Sequence, residues 1–275
     1  MPPAVATPFM PEDLERLVPL RDSGDRPPLF CIHPVSGSAY ANTGLVRLLP
    51  PELPVFGFEA PSFDNDRAPV NRLPVLAEEY SNILREFQPA GAYQLLGWSL
   101  GGALAFDMAL RLADTDTPVA RLVLVDSGLP WVADLPAEKG VVTRFMTDLA
   151  GMSGISQEIV EQTLAGAADD APAAELFTRI EEAEILPEEL DAELLLSRFV
   201  TFRAHLDALY NYVVPAPYEG EVLHVMAADS PREAMRWDKV TTGLTEVVLP
   251  GNHYSIWTGD SLVELYRLVN DFLLP

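Results

Sequence analysis

The chain has 275 residues, a length that suits one large α/β domain or one such domain with an insertion. Hydrophobic residues make up 48% of it, which is enough for a sizeable core. The 18 basic residues are outnumbered by 41 acidic ones, and the net charge of −23 argues against nucleic acid or an anionic membrane surface as a partner. The sequence shows neither an apolar stretch long enough to span a membrane nor a signal-peptide pattern, and its one cysteine, Cys31, excludes an internal disulfide. We therefore expect a cytoplasmic protein.

The first 28 residues are rich in proline and have no sustained hydrophobic period, so residues 1–28 are interpreted as a linker or tail. In residues 29–275, short apolar stretches alternate with segments of helical spacing. The predicted strands are residues 29–33, 54–59, 93–96, 122–125, 221–227 and 246–249, and the predicted helices are residues 75–87, 101–112 and 262–273. This alternation predicts an α/β fold with a mainly parallel sheet flanked by helices on both faces.

One segment interrupts the alternation. Residues 132–212 show only helical patterns, with breaks near Gly151, Pro172 and Pro187. The segment falls between two predicted strands and is too long to be a single crossover helix. It is therefore predicted to be a helical insertion, or lid, over the rest of the domain.

The strongest chemical signal is the stretch GWSLGG at residues 97–102, which fits the pattern G-x-S-x-G between a predicted strand and a predicted helix. A nucleophilic serine on such a tight turn has an exposed hydroxyl, and its close neighbours Gly97 and Gly101 must lack side chains. The helix that follows directs its free N–H groups towards a developing oxyanion. The motif resembles the nucleophile turn of α/β-hydrolases and predicts Ser99 as the nucleophile.

A serine hydroxyl is a poor nucleophile at neutral pH, so it needs a base, and the base needs an orienting acid. In α/β-hydrolases the chain order is serine, acid, histidine. His253 lies in the loop between the last predicted strand and the last predicted helix, which is where this order puts the base. His33 precedes any suitable acid, His205 falls within the insertion, and His224 lies inside a strand. We therefore predict His253 as the base.

Two aspartates are candidates for the acid. Asp126 follows the strand after the nucleophile helix, and Asp229 follows the next strand along the chain. Both positions are at the carboxyl edge of a parallel sheet, where α/β proteins bind ligands. Each could instead serve as a turn residue, so the residues alone leave the choice open.

Four segments together resemble the signature segments of type I thioesterase domains, which end chain assembly in nonribosomal peptide synthetases and some polyketide synthases. They are LFCIHPVSG at residues 29–37, GWSLGG at 97–102, VLVDS at 123–127 and PGNHY at 250–254. The resemblance extends from about residue 18 to the C-terminus. That family uses the acid after the earlier strand, which favours Asp126 over Asp229.

The resemblance also implies an oxyanion hole made of two backbone N–H groups. One belongs to the residue after the nucleophile, here Leu100, and the other to the loop after the histidine–proline pair, here Val35. A common form of that loop is His-Pro-Ala-Gly-Gly, whereas this chain has Val35 and Ser36 in place of the alanine and the first glycine. A backbone donor survives these changes, but the shape of the pocket differs.

The implied reaction takes a peptidyl or acyl chain from the phosphopantetheine of a carrier protein onto Ser99. The chain is then released by macrocyclisation or hydrolysis, and the length of the insertion favours macrocyclisation because a large lid can exclude water. No bound cofactor and no metal is expected. The expected partner is a peptidyl or acyl carrier protein, and the chain is expected to be a monomer or the C-terminal domain of a larger synthetase.

Three other interpretations compete with this one. A stand-alone editing (type II) thioesterase is similar, but such enzymes tend to carry a histidine before the serine, where this chain has Trp98. A generic serine esterase would cleave simple esters and leave carrier-bound thioesters intact. A binding module without catalysis is the third alternative, because a fold alone does not prove a function.

Overall fold

A computed structural model describes residues 11–63, 67–153, 157–187 and 189–275 of the chain. In this described part, seven strands form one sheet in the order β1-β3-β2-β4-β5-β6-β7. The strands are β1 Leu17–Arg21, β2 Leu29–Ile32, β3 Val55–Phe58, β4 Tyr93–Trp98, β5 Val119–Val125, β6 Tyr218–Ala227 and β7 Thr241–Leu249. Every neighbouring pair is parallel except β1 and β3, which run antiparallel at the edge.

The helices cover both faces of the sheet. They are α1 Thr43–Val46, α2 Leu73–Phe87, α3 Leu100–Leu112, α4 Glu138–Ser153, α5 Gln157–Leu164, α6 Ala173–Glu182, α7 Ala192–Tyr210 and α8 Gly259–Phe272. One hydrophobic cluster joins α2 and α3 to one face, and a second joins α1 and α8 to the other. The predicted mainly parallel α/β architecture with a helical insertion is therefore confirmed.

The N-terminal segment differs from its interpretation as a linker or tail. Residues 17–21 form strand β1, with Leu17 paired to Phe58 and Arg21 to Val55. A five-residue edge strand containing Pro19 has little periodicity of its own, and proline is tolerated at a sheet edge because one side of the strand has no ladder partner. The pairing therefore depends on β3 and is invisible in the local pattern. Residues 1–10 lie outside the described residues.

The helices α4 to α7 lie between β5 and β6, within the segment predicted as an insertion. Four phenylalanines form a common aromatic core there, with ring centroids 5.3–5.7 Å apart in edge-to-face geometry. They are Phe145, Phe177, Phe199 and Phe202. Since these rings pack on one another, they hold the insertion together as a unit.

The carboxyl ends of β2, β4, β5 and β7 meet at one edge of the sheet because these strands are parallel. The predicted site residues follow these strands: Val35 after β2, Ser99 after β4, Asp126 after β5 and His253 after β7. The topology therefore brings residues far apart in sequence to one edge. Within the described residues, no helix is both long and apolar enough to cross a membrane.

Candidate active site

Ser99 occupies a strained turn between β4 and α3. Its backbone angles are φ 57° and ψ −124°, a conformation that is costly for a residue with a Cβ. A Cβ on Gly97 would lie 2.0 Å from the carbonyl oxygen of Gly101, and one on Gly101 would lie 2.5 Å from that of Ile32. Both glycines are thus required by close backbone approach. The turn is the one that the G-x-S-x-G pattern predicts.

His253 and Asp126 form a hydrogen-bonded pair across the ends of β7 and β5. His253 Nδ1 lies 2.7 Å from Asp126 Oδ2, and the Asp126 side chain is fully buried. A carboxylate accepts, so His253 donates from Nδ1 and presents Nε2 as the free lone pair. This is the tautomer that a serine-activating base needs.

The carboxylate of Asp126 is held by more than the histidine. The backbone N–H of Ala227 donates to Oδ1 at 2.8 Å, and Ser230 Oγ donates to Oδ2 at 2.7 Å. Burial alone would raise the pKa of Asp126, but the hydrogen bonds from His253, Ala227 and Ser230 outweigh it and lower the pKa below its usual value. Asp126 is therefore ionised at neutral pH.

Asp229, the other candidate acid, lies beside this network. Its backbone N–H donates to Gly251 O at 3.0 Å, which ties the end of β6 to the loop that carries His253. Among the described residues, the carboxylate bonded to His253 is that of Asp126. The structure thus brings Asp126 and His253 together. The segment after β6 holds the loop that carries His253 through the hydrogen bond from Asp229.

Ser99, Asp126 and His253 line one cavity of about 360 Å³. Its walls are mostly apolar and come from the loop after β5, from α7 and from the segment after β6. The lining includes Leu206, Leu209 and Tyr210 of α7, and Arg144 of α4. Arg144 hydrogen-bonds the hydroxyl of Tyr210 and lies over its ring, 5.4 Å from the centroid. Within the described residues no hydrogen bond joins Ser99 to His253, a contact that in free enzymes often forms only with substrate.

The His253 ring is supported by an aromatic cluster. Trp98 lies with its ring centroid 5.1 Å from that of His253 and also contacts Tyr254 and Trp257. Tyr254 Oη lies 3.2 Å from Asp148 Oδ1 on α4. Burial raises the pKa of Asp148 to about 6, although His253 and the hydrogen bond from Tyr254 act in the opposite direction. The insertion therefore packs directly on the loop that carries the histidine.

The candidate oxyanion donors are the backbone N–H groups of Leu100 and Val35. Leu100 is the first residue of α3, and its N–H is among those that helix geometry leaves without an intrahelical acceptor. Val35 is buried in the loop after β2, and no backbone acceptor pairs with its N–H among the described residues. The close approach of Gly101 to Ile32 O puts the first turn of α3 against the end of β2. The oxyanion hole itself stays a prediction.

Sequence reasoning missed four side chains near the site. Ser230 and Trp98 contact the predicted acid and base, whereas His33 and His205 hydrogen-bond the loop of Val35. Only His33 had a local signal, its place before proline at the end of a strand. The other three contacts join residues that are distant in sequence, so no spacing rule could reveal them.

The fold and this arrangement together define a class. A serine at a strained turn after a parallel strand, with a histidine–aspartate pair at the same sheet edge, is typical of serine-type α/β-hydrolases. The family model described as "Thioesterase domain" matches residues 27–273, and the chain belongs to this family.

Similar proteins show which members of the thioesterase family this chain resembles. A dimodular nonribosomal peptide synthase of Bacillus subtilis (strain 168) is 39% identical over 114 residues, 42% of this chain and 5% of that protein. Enterobactin synthase component F of Escherichia coli (strain K12) is 40% identical over 116 residues, 42% of this chain and 9% of that protein. The crystal structure of a four-domain holo nonribosomal peptide synthetase bound to AMP and glycine superposes with a TM-score of 0.78 and 25% identity, over 94% of this chain and 20% of that one.

These matches confirm the resemblance to thioesterase domains of nonribosomal peptide synthetases. The segments matched are less than a tenth of the length of the two curated synthetases.

Proposed function

We propose that this chain is a serine-dependent thioesterase that releases a peptidyl or acyl chain from a carrier protein. The observation that carries the proposal is the 2.7 Å hydrogen bond between His253 and Asp126, in the cavity that also contains the strained Ser99. The family and the synthetase relatives support the substrate class, a thioester on the phosphopantetheine of a carrier.

The first half-reaction acylates Ser99. Its hydroxyl attacks the thioester carbonyl while His253 Nε2 takes the proton, and Asp126 stabilises the resulting imidazolium. The N–H groups of Val35 and Leu100 stabilise the tetrahedral oxyanion, a contribution of about 3 kcal/mol per donor. Collapse of this intermediate expels the phosphopantetheine thiol, which receives the proton from His253, and leaves an ester on Ser99.

The second half-reaction releases the chain. His253 takes a proton from water or from an amine or hydroxyl of the bound chain, and that nucleophile attacks the ester. The bond between the acyl carbon and Ser99 Oγ then breaks, and His253 returns the proton to the Ser99 oxygen. Water yields a linear acid and an internal nucleophile yields a ring. We propose macrocyclisation as the favoured outcome, because Leu206 and Leu209 of α7 give the cavity apolar walls against which a bound chain can fold.

Intact-protein mass spectrometry tests the proposal. The protein is incubated with N-acetylcysteamine thioesters of a peptide that carries a terminal amine, and the expected result is a mass increase equal to the acyl group. Ser99→Ala should fold normally and gain no mass, with the exposed Ser23→Ala as a serine control that is acylated. Acylation of the Ser99→Ala protein would refute the assignment.

Product mass separates the two outcomes. A cyclic product is lighter than the linear acid by one water. If a substrate with a suitable terminal nucleophile gives only the linear acid, the cyclase part of the proposal is wrong and the thioesterase part stands.

A further inference from the structure

Two histidines outside the proposed triad form a buried pair beside the loop of Val35, which carries the proposed oxyanion donor. His33 directly follows β2, and His205 lies on α7 of the insertion. Their rings stack at 16° with centroids 4.9 Å apart, and each residue is at most 1% exposed. Neither ring belongs to the cavity that contains Ser99. The proposed mechanism leaves both rings without a role.

His33 holds the peptide group that carries the Val35 N–H. Its Nδ1 lies 2.8 Å from Pro34 O, and a carbonyl oxygen only accepts, so Nδ1 carries the proton. Its Nε2 then accepts from Tyr80 Oη at 2.6 Å. The Pro34 carbonyl and the Val35 N–H belong to the same planar peptide unit. The direction of this N–H is therefore coupled to the His33 ring.

His205 holds the next peptide group. Its Nδ1 lies 2.9 Å from Val35 O and must donate for the same reason. Its Nε2 is buried and has no hydrogen-bond partner among the described residues. The two stacked rings thus fix both peptide planes that flank the Cα of Val35. Both φ and ψ of Val35 are constrained from outside the loop.

Both rings are neutral at neutral pH. Burial lowers the pKa of His33 to about 3, with a further decrease caused by His205, and burial lowers the pKa of His205 to about 4. Neutral rings keep the two Nδ1–H tautomers that the carbonyl contacts require.

The loop of Val35 also packs between α7 and the segment after β3. A Cβ on Gly37 would lie 2.9 Å from the Cβ of Ala60 and 3.2 Å from Cγ2 of Thr201. Thr201 lies one helical turn before His205 and donates to Ser62 Oγ at 2.9 Å. Leu206, the residue next to His205 on α7, lines the cavity that contains Ser99, so a single helix contacts both the cavity and the loop.

We propose that His205 is a positioning residue for acyl transfer, which fixes the Val35 peptide so that its N–H faces the oxyanion. This inference rests on the proposed function, in which the Val35 N–H is an oxyanion donor. The helical insertion then contributes to the rate through its contact with the loop as well as by covering the substrate. His205 touches no reacting atom.

Two substitutions test the ring of His205 and its N–H donor independently. His205→Phe keeps a ring stacked on His33 and removes the donor, whereas His205→Asn removes the ring and keeps an N–H near the position of Nδ1. With an octanoyl N-acetylcysteamine thioester, we expect kcat of His205→Phe to fall about tenfold to a hundredfold, because a misplaced oxyanion donor costs much of its effect. His205→Asn should stay within about threefold of the wild type, and KM should change little in either.

Controls make the result decisive. Arg203→Gln, on the same helix as His205, loses an exposed ion pair with Glu138 and should keep the wild-type kcat. Thermal unfolding checks the fold, and His205→Leu removes the same donor in a smaller volume if the phenylalanine variant does not fold. Wild-type kcat in the folded donor-less variants, or equal losses in the Asn and Phe variants, would overturn the positioning role.

The same assay tests the parent proposal. Wild-type turnover that Ser99→Ala abolishes supports the proposed function whatever the His205 variants do. Absence of turnover by the wild-type protein would overturn the proposed function and, with it, the role given to His205.

Discussion

The two sides of the candidate site differ in charge and in access to solvent. The base side, which consists of Asp126, Ser230 and His253, contains an ionised carboxylate and a histidine side chain that is 29% exposed. The oxyanion side, which consists of His33, Val35 and His205, is buried and contains only neutral groups.

The difference fits the proposed mechanism. In that mechanism the base gains and loses a proton in every cycle, so it needs a fixed negative charge beside it. The proposed oxyanion donors keep one direction throughout, so rigid neutral contacts serve them best. The helical insertion touches both sides, through α4 at Tyr254 and through α7 at Val35.

Loss of the charge on the base side should have the largest effect. Asp126→Asn is expected to lower kcat by about 10³–10⁴-fold, because the amide favours the wrong histidine tautomer. Asp229→Asn is the matched control, and its kcat should stay within about threefold, since its carboxylate does not hold His253. Steady-state turnover of one thioester by both variants makes the test, and the reverse ranking would move the acid to the end of β6.

The neutrality of the oxyanion side should appear as a pH dependence of stability. Because the folded pKa of His205 is about 4, below its unfolded value of 6.5, the unfolded state binds more protons in between. The stabilisation is complete above pH 6.5 and is lost as pH falls towards 4. This histidine should contribute a decrease of about 1.4 kcal/mol per pH unit in that window.

The measurement is the free energy of unfolding in urea at pH 7 and pH 5. His205→Asn should lose less stability than the wild type over this interval, by about 2 kcal/mol. The raised pKa of Asp148 acts in the opposite sense, since its neutral form is favoured in the folded state, but it is present in both proteins and cancels. Equal slopes in the two proteins would show that His205 titrates normally.

A smaller effect should follow from removing one hydrogen bond to the Asp126 carboxylate. Ser230→Ala removes one of three hydrogen bonds to Asp126 and should lower kcat about threefold to tenfold, which corresponds to roughly 1 kcal/mol. Ser261→Ala, whose hydroxyl donates to Pro250 O in the same region, is the control and should leave kcat unchanged. A Ser230→Ala protein with wild-type kcat would mean that His253 and Ala227 hold the carboxylate sufficiently by themselves.

Residues with local signatures were predictable from the sequence. Ser99 sits in a motif whose Gly97 is required by the backbone of Gly101 four residues away, and His253 sits in a loop whose place follows from the order of strands. The choice between Asp126 and Asp229 was different, because both follow strands at the same sheet edge. The family resemblance favoured Asp126, and the side-chain hydrogen bond in the structure agrees with that choice.

Long-range contacts account for what the sequence could not reveal. His205 reaches Val35 across 170 positions, and the pattern of α7 shows only a helix within the insertion. Strand β1 was interpreted as part of a linker because five residues with a proline carry too little pattern. Its pairing with β3 depends on side-chain burial and hydrogen bonds that exist only once the sheet is formed.

The direction of β1 determines where a tether would enter. Because β1 runs antiparallel to β3, Arg16 lies at the sheet edge that also holds Ser99, whereas Leu274 is bound by Gln94 near the opposite edge. Two strands separate β1 from β4, so the entry point is about 15 Å across the sheet from the nucleophile. A carrier domain joined ahead of residue 11 would therefore need only a short linker. A short linker keeps the local concentration of the thioester high.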